Sequence, residues 1–184
     1  MIRIDGPIRQ GWILLIILVL VLTSCGTRKI LTDASDARGK TFKGSLTQRY
    51  ATILEVREKD LKNERLYKFI DSWMGAPHRT GGIDKGGVDC SGFAIRLEKE
   101  VYHKDIPRTA RQMAEAVKRK FEGELQEGDL VFFDFDGQKF SHVGVFLQNN
   151  KFVHVSTRRG VIISDLKDPW YYKSFSRAGS VIAR

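Results

Sequence analysis

The stretch His142-Val143-Gly144-Val145-Phe146-Leu147-Gln148-Asn149-Asn150-Lys151-Phe152-Val153-His154-Val155-Ser156 decides the fold class. Residues with period-two patterning flank a polar Gln-Asn-Asn break, so strands are predicted over 142–147 and 151–156. Loop length sets their register. With a three-residue loop, Gln148 to Asn150, Val143 opposes Val155 and Val145 opposes Val153, which makes one face wholly apolar. The other face carries His142, Gly144, His154 and Ser156, with His154 opposite Gly144. A two-residue loop would set His154 against Val145 and mix the faces, so the odd loop is expected. The two histidines then become diagonal neighbours across a residue without a side chain.

Further short runs rich in Val, Ile and Phe surround this hairpin. Strands are expected at Asp129–Phe133, Val161–Ser164 and Val181–Ala183. The half of the domain before them has helical spacing instead. A short helix is expected over Tyr50–Val56. A firmer one runs from about Leu61 to Met74, with Leu66, Phe69, Ile70 and Trp73 on one face and Gly75 and Pro77 as breakers. Thr80 to Gly87, with four glycines, reads as a loop. Asp89 is a plausible N-cap for a helix whose apolar stripe is Phe93, Leu97 and Val101. Thr109 to Gln112 fits a capping box for a helix reaching about Lys120. Helices followed by strands imply an α+β class, with N-terminal helices packed on a small antiparallel sheet.

The N-terminus reads as a processing signal. Arg3 and Arg9 precede the apolar run Trp12–Leu22, which is shorter than the roughly 20 residues a membrane-spanning helix needs. Leu22-Thr23-Ser24-Cys25 resembles a bacterial lipobox, so residues 1–24 are expected to be cleaved and Cys25 lipidated. Residues 25–45, polar and mostly basic, read as a flexible tether, leaving 46–184 as one domain. Gly26 after the cysteine, rather than Asp, favours the outer membrane, facing the periplasm. The net charge is +9. The basic residues are scattered and no nucleic-acid motif is present, so anionic lipid or wall polymer is the simpler partner and nucleic acid is not expected.

Only two cysteines exist, Cys25 and Cys90. With Cys25 lipidated, Cys90 is a free thiol in an oxidising compartment, where a lone thiol is more often a working group than a staple. At a helix start and near a histidine, its thiolate would be favoured. Cys90 as nucleophile, His142 as base and His154 as orienting residue make a triad by role. One cysteine and two histidines at these spacings do not match a zinc site, so neither metal nor cofactor is expected.

Five motifs stand in order: Val88-Asp89-Cys90-Ser91-Gly92-Phe93, Pro107-Arg108-Thr109-Ala110, Gly128-Asp129-Leu130-Val131-Phe132-Phe133, His142-Val143-Gly144-Val145 and Phe152-Val153-His154-Val155-Ser156. Together they resemble the NlpC family of papain-like cell-wall cysteine peptidases, over roughly Leu61 to Arg184. The resemblance implies a papain-like fold, a Cys-His-His triad at Cys90, His142 and His154, and hydrolysis of peptidoglycan stem peptides. It also implies that Asp89 and Ser91 help hold the substrate's polar ends. Many family members carry a tyrosine before the paired glycines, lining the oxyanion site; here His78 stands there, before Thr80-Gly81-Gly82. Two rival functions share the scaffold: a non-catalytic wall-binding lipoprotein, and an acyltransferase or amidase. The intact triad residues argue against the first.

Overall fold

The computed structural model describes residues 44–182. The signal sequence, the lipobox with Cys25 and all but the last two residues of the tether lie outside them. Local sequence explains how the helices start. Ser45 and Gln48 form a reciprocal capping box on α1 (Leu46–Leu54), which buries Tyr50, Ala51 and Leu54. Asn63 accepts from the Leu66 amide to cap α2 (Glu64–Trp73), whose Leu66, Tyr67, Phe69, Ile70 and Trp73 are buried. Asp89 caps α3 (Cys90–Leu97), which runs on into a π-helical turn over Glu98–Tyr102. The expected Thr109–Gln112 capping box opens α4 (Ala110–Ala116).

Six antiparallel strands form the main sheet in the order β3-β8-β4-β5-β6-β7. They are β3 (Lys118–Arg119), β4 (Leu130–Phe135), β5 (Gln138–Phe146), β6 (Lys151–Ser156), β7 (Gly160–Asp165) and β8 (Phe175–Ser180). Alternation along each strand separates two apolar layers. Leu130, Phe132, Val143, Val145, Val153 and Val155 pack with the helices in the main core. Val131, Phe133, Phe146, Phe152 and Ala178 form a second cluster on the other face. Helices before sheet gives the expected α+β class.

The hairpin register is the expected one. Gly144 pairs with His154 and Val145 with Val153, and the Leu147 amide donates to the Lys151 carbonyl at 2.9 Å, leaving Gln148–Asn150 as the loop. The ladder ends at Gly144–His154, one pair short of the expected Val143–Val155.

Three expectations are corrected and one element is added. The last described strand lies at Phe175–Ser180 and not at Val181–Ile182, while Ala183 of the expected strand lies outside the described residues. It inserts between β3 and β4, and Gly179 makes room there: a Cβ would sit 2.4 Å from the Lys118 carbonyl oxygen. Helix α4 stops at Ala116, because Val117 turns extended to start the edge strand β3. A short helix, α5 (Pro169–Ser174), follows β7, with Asp168 as cap and Pro169 in its first turn. The glycine-rich loop contains a small hairpin, β1 (Ile83–Asp84) with β2 (Gly87–Val88).

Candidate active site

Cys90 is the first residue of α3 because Asp89 caps that helix through its side chain. The Asp89 carboxylate accepts from the Gly92 amide at 2.6 Å, the Ser91 hydroxyl at 3.0 Å and the Gly81 amide at 2.9 Å. Two glycines let the preceding loop close on the helix end. A Cβ on Gly92 would lie 2.2 Å from the Gly82 carbonyl oxygen, and one on Gly82 would lie 2.1 Å from that of Gly87. The half-buried thiol therefore sits at the helix mouth, where the amides of Cys90 and Ser91 have no intrahelical acceptor.

The β5–β6 ladder opens where Cys90 approaches it. The ladder ends at Gly144–His154, and the nearby Val143 amide favours the charged form of the Cys90 thiol, as do the Ser91 and Cys90 amides. Burial outweighs them, with the Asp89 carboxylate adding to it, and pushes the thiol above its ordinary range. This departs from the depressed thiol expected at a helix start beside an imidazolium.

His142, one residue before Val143, shares the opposite sheet face with His154, as expected. Its Nε2 lies 2.9 Å from His154 Nδ1, with the rings nearly perpendicular. Phe133 and Phe135 flank His142, at 6.0 and 5.6 Å between ring centres. Burial first, then the nearby His78, lowers the His142 pKa to about 4. His154 is only 2% exposed. Burial, His142 and then Arg159 hold its pKa well below the usual histidine value. Burial thus favours the neutral forms of the thiol and of both imidazoles.

His78 is half-buried and runs beside the strand leading to Cys90. The Pro77 carbonyl accepts from the Val88 amide at 3.0 Å, and the Arg79 amide donates to the Val88 carbonyl at 3.1 Å. His78 lies near enough to His142 to contribute to lowering that residue's pKa. Asp89 and Ser91 lie together beside Cys90, joined by a residue that the sequence placed in a motif without a role. Arg108 donates to Ser91 Oγ at 2.7 Å and to both Asp89 oxygens at 3.2 and 2.8 Å. Nothing local in the sequence assigns Arg108 partners 17 and 19 residues away.

Three more side chains escaped sequence reasoning. Ser164 Oγ and Tyr171 Oη lie 3.0 and 3.2 Å from His154 Nε2. Trp170, 69% exposed, stacks on Phe135 at 5.9 Å, and Phe135 in turn lies against His142. Tyr171 and Trp170 belong to α5, which had no strong local signal beyond Asp168-Pro169. Cys25 lies outside the described residues.

Known proteins align with this domain. The sequence profile described as "NlpC/P60 family" matches residues 75–180. The protein named "Murein DD-endopeptidase MepS/Murein LD-carboxypeptidase" from Escherichia coli K12 is 39% identical over 129 residues, which is 70% of this chain and 68% of that one. The "Probable endopeptidase NlpC" of the same strain is 40% identical over 110 residues, 59% of this chain and 71% of the other. Among solved structures, an NlpC/P60 family protein from Bacillus cereus superposes with a TM-score of 0.59 at 27% identity. That match covers 64% of this chain and 39% of the Bacillus chain, so this chain spans about two fifths of that structure.

Proposed function

This chain belongs to the NlpC/P60 family, and from that premise we propose that it is a cysteine peptidase hydrolysing amide bonds in the stem peptides of peptidoglycan or their cross-links. The observation that carries the reading is the His142–His154 hydrogen bond, with the amide of the next residue, Val143, near enough to Cys90 to favour its thiolate. The names of the relatives, murein DD-endopeptidase and LD-carboxypeptidase, support the substrate class.

The chemistry is acyl transfer in two halves. His142 takes the thiol proton as Sγ bonds to the carbonyl carbon, which spares the site a buried resting thiolate. The carbonyl oxygen becomes an oxyanion, held by the Cys90 amide at the helix mouth and by a ring N–H of His78. His142 then returns the proton to the leaving amine as the C–N bond breaks, leaving a thioester on Cys90. Water, deprotonated by the same imidazole, hydrolyses that thioester and restores the thiol. His154 keeps the His142 ring oriented throughout. Asp89 and Ser91, braced by Arg108, hold the polar end of the substrate. Every step uses protein groups and water alone.

We further propose that residues 1–24 are removed, that Cys25 carries lipid, and that residues 25–45 tether the domain to the outer membrane. Each buried methylene of such a lipid contributes about 0.8 kcal/mol to attachment. Mass spectrometry of the mature protein tests this, and a product starting at Cys25 without added lipid would refute it. Mass spectrometry of muropeptides after incubation with the purified chain tests the activity. New peptide products are expected with the wild type and none with Cys90→Ala; equal release by both would overturn the mechanism. Unaltered muropeptides that stay bound would instead support a wall-binding lipoprotein.

A further inference from the structure

The hydrogen-bond chain that starts at His142 does not stop at His154. His154 is almost fully buried, boxed by the rings of Phe152 at 4.9 Å, Tyr171 at 5.2 Å and His142 at 5.0 Å. A buried ring nitrogen needs a partner, and Nε2 faces two: Ser164 Oγ from β7 at 3.0 Å and Tyr171 Oη from α5 at 3.2 Å. The Ser164 hydroxyl in turn donates toward Tyr171 Oη at 3.4 Å.

We propose that Ser164 and Tyr171 are positioning residues that hold His154 as its Nε2–H tautomer and thereby keep the Nδ1 lone pair of His142 free to receive the Cys90 proton. The inference rests on reading His142 as the base. It follows from counting protons. A neutral imidazole has one N–H and one lone pair. Across the 2.9 Å contact, either His142 Nε2 donates to His154 Nδ1 or the reverse. If His142 donates, its Nδ1 is bare and can act as a base, and His154 must carry its proton on Nε2. If His154 donates, the His142 proton moves to Nδ1 and the ring cannot accept another there.

The two hydroxyls discriminate between these states. An N–H on Nε2 can be shared by both oxygens, while Ser164 sends its own hydrogen to Tyr171, so every contact is satisfied. A bare lone pair on Nε2 can accept from one hydroxyl only. The other oxygen would then face that lone pair with its own at about hydrogen-bonding distance. Ring-nitrogen tautomers are commonly set by such outer partners, whose loss costs about 10–100-fold in metal sites.

The test uses the mature protein carrying Ser164→Ala, Tyr171→Phe, both changes, or the conservative Ser164→Thr. Tyr171→Phe keeps the ring that packs on His154 and Phe152. Three measurements are made: kcat and KM on a purified stem peptide, the alkylation rate of Cys90 by iodoacetamide across pH, read on the Cys90 peptide by mass, and the ¹⁵N shifts of the histidine rings. Each single change is expected to lower kcat about tenfold and the double change about a hundredfold, with KM little altered. Ser164→Thr should restore most of the rate. The ¹⁵N shifts of His154 should move from a single Nε2–H form toward a mixture in the double variant, and Cys90 alkylation should slow in parallel. A double variant with the wild-type tautomer and alkylation profile would overturn the proposal, even if turnover fell. The alkylation and ¹⁵N measurements need no wall substrate, so a chain that shifts tautomer but cleaves no stem peptide would refute the proposed function and leave this inference standing.

Discussion

Replacing Glu98 with glutamine should stabilise the folded domain, and by an amount that depends on pH. Glu98 sits in the π-helical turn after α3, fully buried, and neither carboxyl oxygen has a hydrogen-bond partner. Burial is the main cause that raises its pKa from 4.5 to about 7; Lys104 opposes the rise and Asp129 adds to it. A carboxyl with a raised folded pKa binds its proton more tightly in the folded state. Its contribution is therefore fully present below the unfolded pKa near 4.5 and is lost as pH rises through about 7. At about 1.4 kcal/mol per pKa unit, the loss approaches ~3 kcal/mol above pH 8. Glutamine keeps the shape and cannot ionise, so it escapes that loss. Urea denaturation of wild type and Glu98→Gln at pH 5 and pH 8 isolates the group, because every other titration cancels in the difference. The variant should gain under ~1 kcal/mol at pH 5 and ~2–3 kcal/mol at pH 8. A difference that stays the same between the two pH values would refute the reasoning, since it would mean that Glu98 does not titrate on folding.

Three further outcomes follow from the site. Because His142 is neutral down to about pH 4, kcat/KM should hold through mildly acidic pH and fall only near that value; a pH profile with its acid limb near 6.5 would contradict a neutral His142. Gly144→Ala would place a Cβ 2.6 Å from Cδ2 of Phe152, whose ring stacks on His154. That substitution should cost ~1–3 kcal/mol of stability and lower kcat, as read by denaturation and steady-state rates, whereas unchanged rates would mean that the Phe152 ring does not brace the histidine pair. His78→Ala should reduce kcat by about 10²–10³ with little change in KM, while His78→Tyr retains much of the activity; unchanged turnover in His78→Ala would remove this ring from the oxyanion site.

Much of the site was legible in short-range pattern. Alternation around Gln148–Asn150 determined which hairpin face carries His142 and His154, because a one-residue slip would have turned every side chain over. The Asp89 cap placed Cys90 at a helix start, and the Thr109–Gln112 capping box placed α4, since both devices act within one helical turn. Tertiary structure decided what depends on partners distant in the chain. Strand β8 lies in Phe175–Ser180, where no local run of β-branched residues marks it, because its place is set by pairing with β4 and by the space at Gly179. Helix α5 covers the histidine face and brings Tyr171 to His154, while Arg108 reaches Asp89 and Ser91 from across a connection. The protonation state of the site also belongs to the fold. A helix start by itself favours a thiolate, but the loss of water around Cys90 and His142 outweighs that field, and desolvation exists only once the whole domain has packed.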